Sequence, residues 1–193
     1  MPTTASRVAA ILSLTGILAL AGCVSTWETK PGPVHSDKLG VSADLPDGWS
    51  RFNPDKDIAF TRDGFLLQEI RVSREKYGTK IEHTEKTLQG GIDPQEAAQI
   101  LVDSMMADQS RPHLNIVSNQ PATVAGHPGF RLEITYRTAE GMTRHEILYV
   151  ALTPDSYVIA RYAAPERNFF EKSSGDFERV VASIKIEPKP LKG

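Results

Sequence analysis

"FRLEITYRTAEGMTRHEILYVALTPDSYVIARYAA", residues 130–164, decides the fold. In its first part Phe130, Leu132, Ile134 and Tyr136 alternate with Arg131, Glu133 and Arg137. Successive side chains of a strand point to opposite sides, so this period predicts a strand with the first set turned inward. Ala139-Glu140-Gly141 makes a turn, "RHEILYVAL" returns, Thr153-Pro154-Asp155 turns again, and "YVIARYAA" is the third strand. Three antiparallel runs joined by short turns are a meander.

On the C-terminal side a second helix is expected after Pro165. It breaks or loosens near Ser173-Ser174-Gly175 and packs through Phe169, Phe170, Phe177 and Val181. "SIKIE" closes the domain. On the N-terminal side "LNIVSN" and "ATVAG" are short strand candidates, separated from the meander by a tight turn at Gly126-His127-Pro128-Gly129. Before them "IDPQEAAQILVDSMMADQS" is the clearest helix: Asp93 can cap it, Pro94 suits its first position and Glu96 completes a capping box. Ala97, Leu101 and Met105 recur on one face, flanked by Ala98, Ile100 and Val102.

Further upstream, "LGVSADLPDGWSRF" is a strand that turns at Pro46-Asp47-Gly48 and resumes at Trp49. "DIAFTRDGFLLQEIRVS" is a hairpin turning at Arg62-Asp63-Gly64, with Leu66, Ile70 and Val72 on one face of its second strand. Ser73–Asp93 is rich in lysine, glutamate, threonine and glycine. It reads as a long polar excursion with a short strand at Lys80–His83, and as the first candidate interaction surface. Its deletion is expected to spare folding and abolish partner capture. Strands, helix, strands and helix in that order give an α+β fold, with helices against an antiparallel sheet.

The N-terminus follows a different plan. Arg7 precedes an apolar run, Val8–Leu20, which suits a secretory leader and is shorter than the about 20 residues of a membrane span. Leu20-Ala21-Gly22-Cys23 then resembles the lipobox of bacterial lipoproteins. That resemblance implies removal of residues 1–22 and acylation of Cys23, the single cysteine of the chain. Val24 follows it rather than the aspartate of inner-membrane retention, which by the same resemblance implies, for a Gram-negative bacterium, the outer membrane facing the periplasm in preference to the inner membrane. Residues 23–38, with two prolines and a glycine, read as a lipidated N-terminus and flexible tether. Trp27 is either a residue at the membrane interface or a plain tether residue. The domain then covers 39–187 and the tail 188–193.

With the leader removed, 21 of the 22 basic residues remain against 24 acidic ones. No basic excess points to nucleic acid. With Cys23 acylated no thiol is left for a disulfide, for cysteine catalysis or for a thiolate metal site.

The "LPDGW" turn, the "GHPGF" turn that feeds the meander, and a last helix ending in "SIKI" resemble the PsbP-like fold. That group includes an extrinsic photosystem II protein, a Ran-binding nuclear protein and bacterial envelope lipoproteins of DcrB type. The resemblance implies an antiparallel sheet sandwiched between helices over residues 39–187. It implies no catalytic set, because the group is mostly non-enzymatic and its members differ in partner.

The residues themselves nominate little chemistry. No H-E-x-x-H, G-x-S-x-G, P-loop or G-x-G-x-x-G motif is present. His145 and Glu146 would leave a strand on opposite faces. Glu82, His83 and Glu85 are the one candidate divalent-metal cluster, His127 a candidate ligand contact, and Met105-Met106 a candidate soft groove. Surface and core roles stand beside all three, and no metal or cofactor is assigned. The expectation is a lipid-anchored, non-catalytic envelope protein that binds or helps assemble an envelope partner. The alternative is a carrier of a small ligand or metal.

Overall fold

The computed structural model describes residues 27–52 and 58–188. In chain order the elements are β1 (Trp27–Glu28), β2 (Gly32–Ser36), β3 (Val41–Leu45), β4 (Ser50–Phe52), β5 (Ile58–Thr61) and β6 (Glu69–Lys76). They continue with α1 (Pro94–Ala107), β7 (Asn115–Val124), β8 (His127–Arg137), β9 (Thr143–Leu152), β10 (Ser156–Pro165), α2 (Glu171–Ser183) and β11 (Lys185–Ile186). Eight strands form one antiparallel sheet in the order β1-β4-β5-β6-β10-β9-β8-β7, and β11-β3-β2 form a small second sheet.

The expected meander is β8-β9-β10. Leu132 faces Leu148, Phe130 faces Val150, and Tyr157 faces Leu152. Parity divides the core in two. Phe130, Leu132, Ile134, Leu148, Val150 and Tyr157 pack under α1, while Ile147, Ala151, Val158, Ala160 and Tyr162 pack under α2 and the small sheet. The layered α+β architecture is therefore the expected one. The LPDGW turn closes through the Trp49 N–H to the Pro46 carbonyl, and the buried indole donates from Nε1 to Asp176 on α2 at 2.8 Å. On α1 the Asp93 carboxylate accepts the N–H groups of Gln95 and Glu96, as its N-cap position predicts.

Several expectations need correction. Residues 27–36 are no tether. Val34 and Ser36 are buried, and β2 pairs with β3 from Gly32↔Leu45 to Ser36↔Val41. Proline misled the reading: Pro33 lies on the edge of the small sheet, where a missing N–H breaks no ladder. Pro121 does the same on β7, so the two short candidates are one ten-residue edge strand with a bulge between Ile116 and Ser118. The turn before β8 is Ala125-Gly126, both at positive φ, and His127, Pro128 and Gly129 already belong to the strand. Leu66 does not share the inward face of Ile70 and Val72. It sits 85% exposed in the turn that joins β5 to β6. α2 runs unbroken through Ser173–Gly175, and the irregularity falls earlier, at Arg167 and Asn168.

The largest correction concerns Ser73–Asp93. Its first four residues are β6, and the remainder folds onto the core, with Ile81 buried and Leu88 at 0% exposure among the α1 contacts. A single bridge, Lys80↔Thr87, stands where a short strand was expected. Deletion of the segment would therefore remove core, not an appendage. Leu88→Ala is expected to cost about 3 kcal/mol through lost transfer energy and a residual cavity, measured by urea unfolding. An unchanged midpoint would return the segment to the role of a detachable loop.

Candidate functional site

The two faces of the large sheet are covered unequally. On one, α2 and the small sheet lie over the centre. On the other, α1 covers β8 and β7, and among the described residues the part over β6 and β10 is roofed by Thr79–Glu82, with Tyr77 against Tyr157. Pairing brings Glu75 beside Tyr157, Ser73 beside Ile159 and Arg71 beside Arg161, all on this second face. They floor a groove of about 560 Å³ whose wall toward α1 is Leu148, Leu101 and Ser104. That volume falls within the about 300–1,000 Å³ of small-molecule sites.

One end of the groove is strongly ionic. Arg71 and Arg161 are directly opposed, an unfavourable like-charge pair by itself. Glu69 resolves it by accepting from Arg71 with Oε1 at 2.6 and 2.9 Å and from Arg161 with Oε2 at 2.5 Å. Behind them lies Glu146, 1% exposed. It accepts from the Tyr136 hydroxyl at 2.7 Å and lies 3.3 Å from Arg111 and 3.6 Å from Arg161. Arg111 also stacks over Tyr136 and pairs with Asp108, which ties the end of α1 to the sheet.

Burial works to lower the Arg161 pKa, but Glu146 and Glu69 outweigh it and raise the value. Tyr136 is pushed up to about 12, first by burial and then by Glu146. Tyr157 also rises to about 12, by burial and then by the charge of Glu75. Both phenols therefore keep their protons at neutral pH. The groove is lined by two guanidinium groups, the Glu75 carboxylate, a neutral phenol, two serines and an aliphatic wall, a set suited to holding a polar or amphipathic surface.

Other candidates scatter. Cys23 lies outside the described residues. Glu85 pairs with Lys80, His83 lies 3.7 Å from Asp108, and the Glu82 carbonyl accepts from Ser104. Among the described residues no group of three metal-binding side chains gathers. His127 lines a separate cleft of about 300 Å³ with Arg74 and Asp155. Met105 is half-buried against the core and Met106 is exposed, so the pair forms no groove. His145 and Glu146 do leave opposite faces of the sheet. His145 Nε2 meets Glu133 at 2.7 Å across β8 and β9, and its ring lies flat on Phe170 at 3.5 Å. Burial works to raise the Glu133 pKa, but hydrogen bonds from Arg131 and His145 outweigh it and lower the value.

Sequence reading passed over Glu69, Arg71 and Arg161, and considered Glu146 only beside His145. The available signal was parity, because Glu146 and Arg161 sit at positions that continue the inward series of Leu148 and Tyr157. No helix among the described residues is long and apolar enough to cross a membrane.

The sequence profile of PsbP matches residues 34–186, from within β2 to the last residue of β11. The chain belongs to the PsbP family. Its PsbP domain is similar in fold to the cyanobacterial PsbP, CyanoP, of Synechocystis sp. PCC 6803. That likeness has a TM-score of 0.58 at 15% identity and covers 89% of this chain and 100% of that one. It is also similar to LpqN of Mycobacterium tuberculosis, described as involved in cell envelope biogenesis. There the TM-score is 0.52 at 20% identity, covering 82% of this chain and 91% of that one. At these identities the likeness is one of fold. No curated protein sequence matches the chain.

Proposed function

We propose that this PsbP domain is a non-catalytic binding module of a bacterial envelope, held by lipid on Cys23 and engaging an envelope protein through the groove over β6 and β10. The observation that carries it is the half of the sheet over β6 and β10 that α1 leaves bare, where Glu69 holds the Arg71 and Arg161 side chains in fixed positions. Membership of the PsbP family and the part in cell envelope biogenesis described for LpqN support the reading. The lipobox-like LAGC and the valine after it support an anchor in the outer membrane, facing the periplasm. The groove volume favours one second reading, a carrier of a small ligand.

Crosslinking in native envelopes tests it. Wild type, Cys23→Ala and Ser73→Trp forms are compared, the last filling the groove floor from a half-buried position. Expected is one specific protein recovered with wild type and lost with Ser73→Trp at unchanged Tm. Equal recovery with Ser73→Trp removes the groove from the proposal. A rise in Tm with a small ligand, abolished by Ser73→Trp, would favour the carrier, because a ligand that binds the folded state stabilises it.

A further inference from the structure

A second surface lies at the edge of the same sheet. Trp27 and Phe52 are a direct cross-strand pair, with ring centroids 5.0 Å apart. Phe65 joins them from the β5–β6 turn, at 5.9 Å from Trp27 and 5.8 Å from Phe52. Trp27 is 43% exposed and Leu66, beside Phe65, is 85% exposed, whereas Trp49, Phe60, Phe130 and Phe177 are fully buried. Leu66 is held outward by an ordered turn. The Gly64 carbonyl accepts from both Leu67 and Gln68 at 2.9 Å, and the Leu66 carbonyl accepts from Arg144.

We infer that the Trp27–Phe52–Phe65 cluster, with Leu66, is a lipid-interface surface that seats the domain directly on the bilayer. This rests on the proposed acylation of Cys23. The pairing of β1 with β4 fixes Trp27 to the folded domain, so only four residue steps, across Val24, Ser25 and Thr26, separate it from Cys23. Fully extended, they span about 14 Å. The interfacial zone on each side of a bilayer is roughly 6 Å deep. A cysteine acylated at its inner boundary therefore holds the cluster within reach of that zone, at high effective concentration.

Indole and aromatic rings favour this zone, where an apolar body and a polar N–H are both satisfied. The surrounding charges are largely paired, Arg62 with Asp176 and Lys172 with Asp63. The attraction is thus apolar, and it does not require anionic lipid. So short a leash also orients the molecule, which a flexible tether to residue 38 would not.

The full chain, expressed with its leader and purified from membranes, is reconstituted in vesicles of phosphatidylethanolamine and phosphatidylglycerol. Trp27 emission is taken as the difference between wild type and Trp27→Phe. Lipid brominated near the headgroup is expected to reduce it at least about twofold, while aqueous acrylamide has little effect. Leu66→Asp, whose side chain touches little of the fold, should lessen the lipid quenching. With the acyl mass present on Cys23, emission open to acrylamide and unaffected by brominated lipid overturns the inference and leaves the anchor standing. Emission shielded from both quenchers means that protein, such as a second copy, covers the cluster, and also overturns it. An N-terminus without acyl mass overturns the anchor and this inference together.

Discussion

Gly129→Ala is expected to abolish stable folding, with a loss of at least about 4 kcal/mol, the range reserved for severe backbone or core disruption. Gly129 pairs with Ala151 at the start of the β8–β9 ladder. A Cβ there would lie 1.7 Å from the Val150 carbonyl oxygen and 2.8 Å from its carbon. Both are backbone atoms, so no rotamer change relieves the overlap. The strands would have to part where their ladder begins, in the pairs that follow from Gly129↔Ala151 to Leu132↔Leu148 over the core. The variant should lose its cooperative thermal transition by circular dichroism. A melt within a few degrees of wild type would show that β8 and β9 can separate cheaply there.

Truncation of Arg74 comes second. Its side chain is 1% exposed and ties β6 to three other parts of the chain. Nε donates to Ser156 at 2.8 Å, Nη1 to the carbonyls of Leu39 and Glu187 at 3.0 Å each, and Nη2 to Asp155 at 3.1 Å. Removing it leaves buried acceptors without a donor, so Arg74→Ala should cost about 4 kcal/mol. Arg74→Lys should recover only part, because one ammonium cannot span that fork of acceptors.

The pH dependence provides a separate check. Burial works to raise the Asp155 pKa, but hydrogen bonds from Ser156, Thr153 and Arg74 outweigh it and hold the value below the ordinary 3.8. A carboxylate with a depressed folded pKa contributes stability above its unfolded value, and that contribution is lost as pH falls through the folded one. The deficit of the Arg74 variant should therefore be largest near neutrality and narrow below about pH 4. A constant deficit across that range would remove Asp155 from the account.

Much of the fold could be read without coordinates. The period-2 run from Phe130 onward, the cap and apolar face of α1, and the Pro-Asp-Gly turn before Trp49 are local signals. Each states its structure within about ten residues. The readings that failed depended on partners far away in sequence. Leu88 looked like one apolar residue in a polar stretch until α1 was placed over it. Pro33 looked like a tether residue until β3 was laid beside it, leaving β2 on an edge.

The candidate site was less legible than the fold, because its residues are ordinary in sequence. Arg161 and Glu69 are separated by 92 positions, and His145 and Glu133 by 12. Nothing in either neighbourhood announces the pair. The aromatic cluster is similar: Trp27, Phe52 and Phe65 come from three segments, joined by one two-residue strand pairing and one turn.

Sequence alone determined the class, because alternation and helical period are written in the order of residues and need only short-range sterics to take effect. It also supplied the expectation for Cys23, which rests on a local apolar run and the four residues that end it. Tertiary structure alone decided that residues 32–36 form a paired strand, which half of the sheet α1 covers, and which charges meet over the other half. Those outcomes depend on strand order and register, set by the summed packing of segments distant along the chain. A buried carboxylate such as Glu146 acquires its meaning only when Tyr136, Arg111 and Arg161 arrive around it.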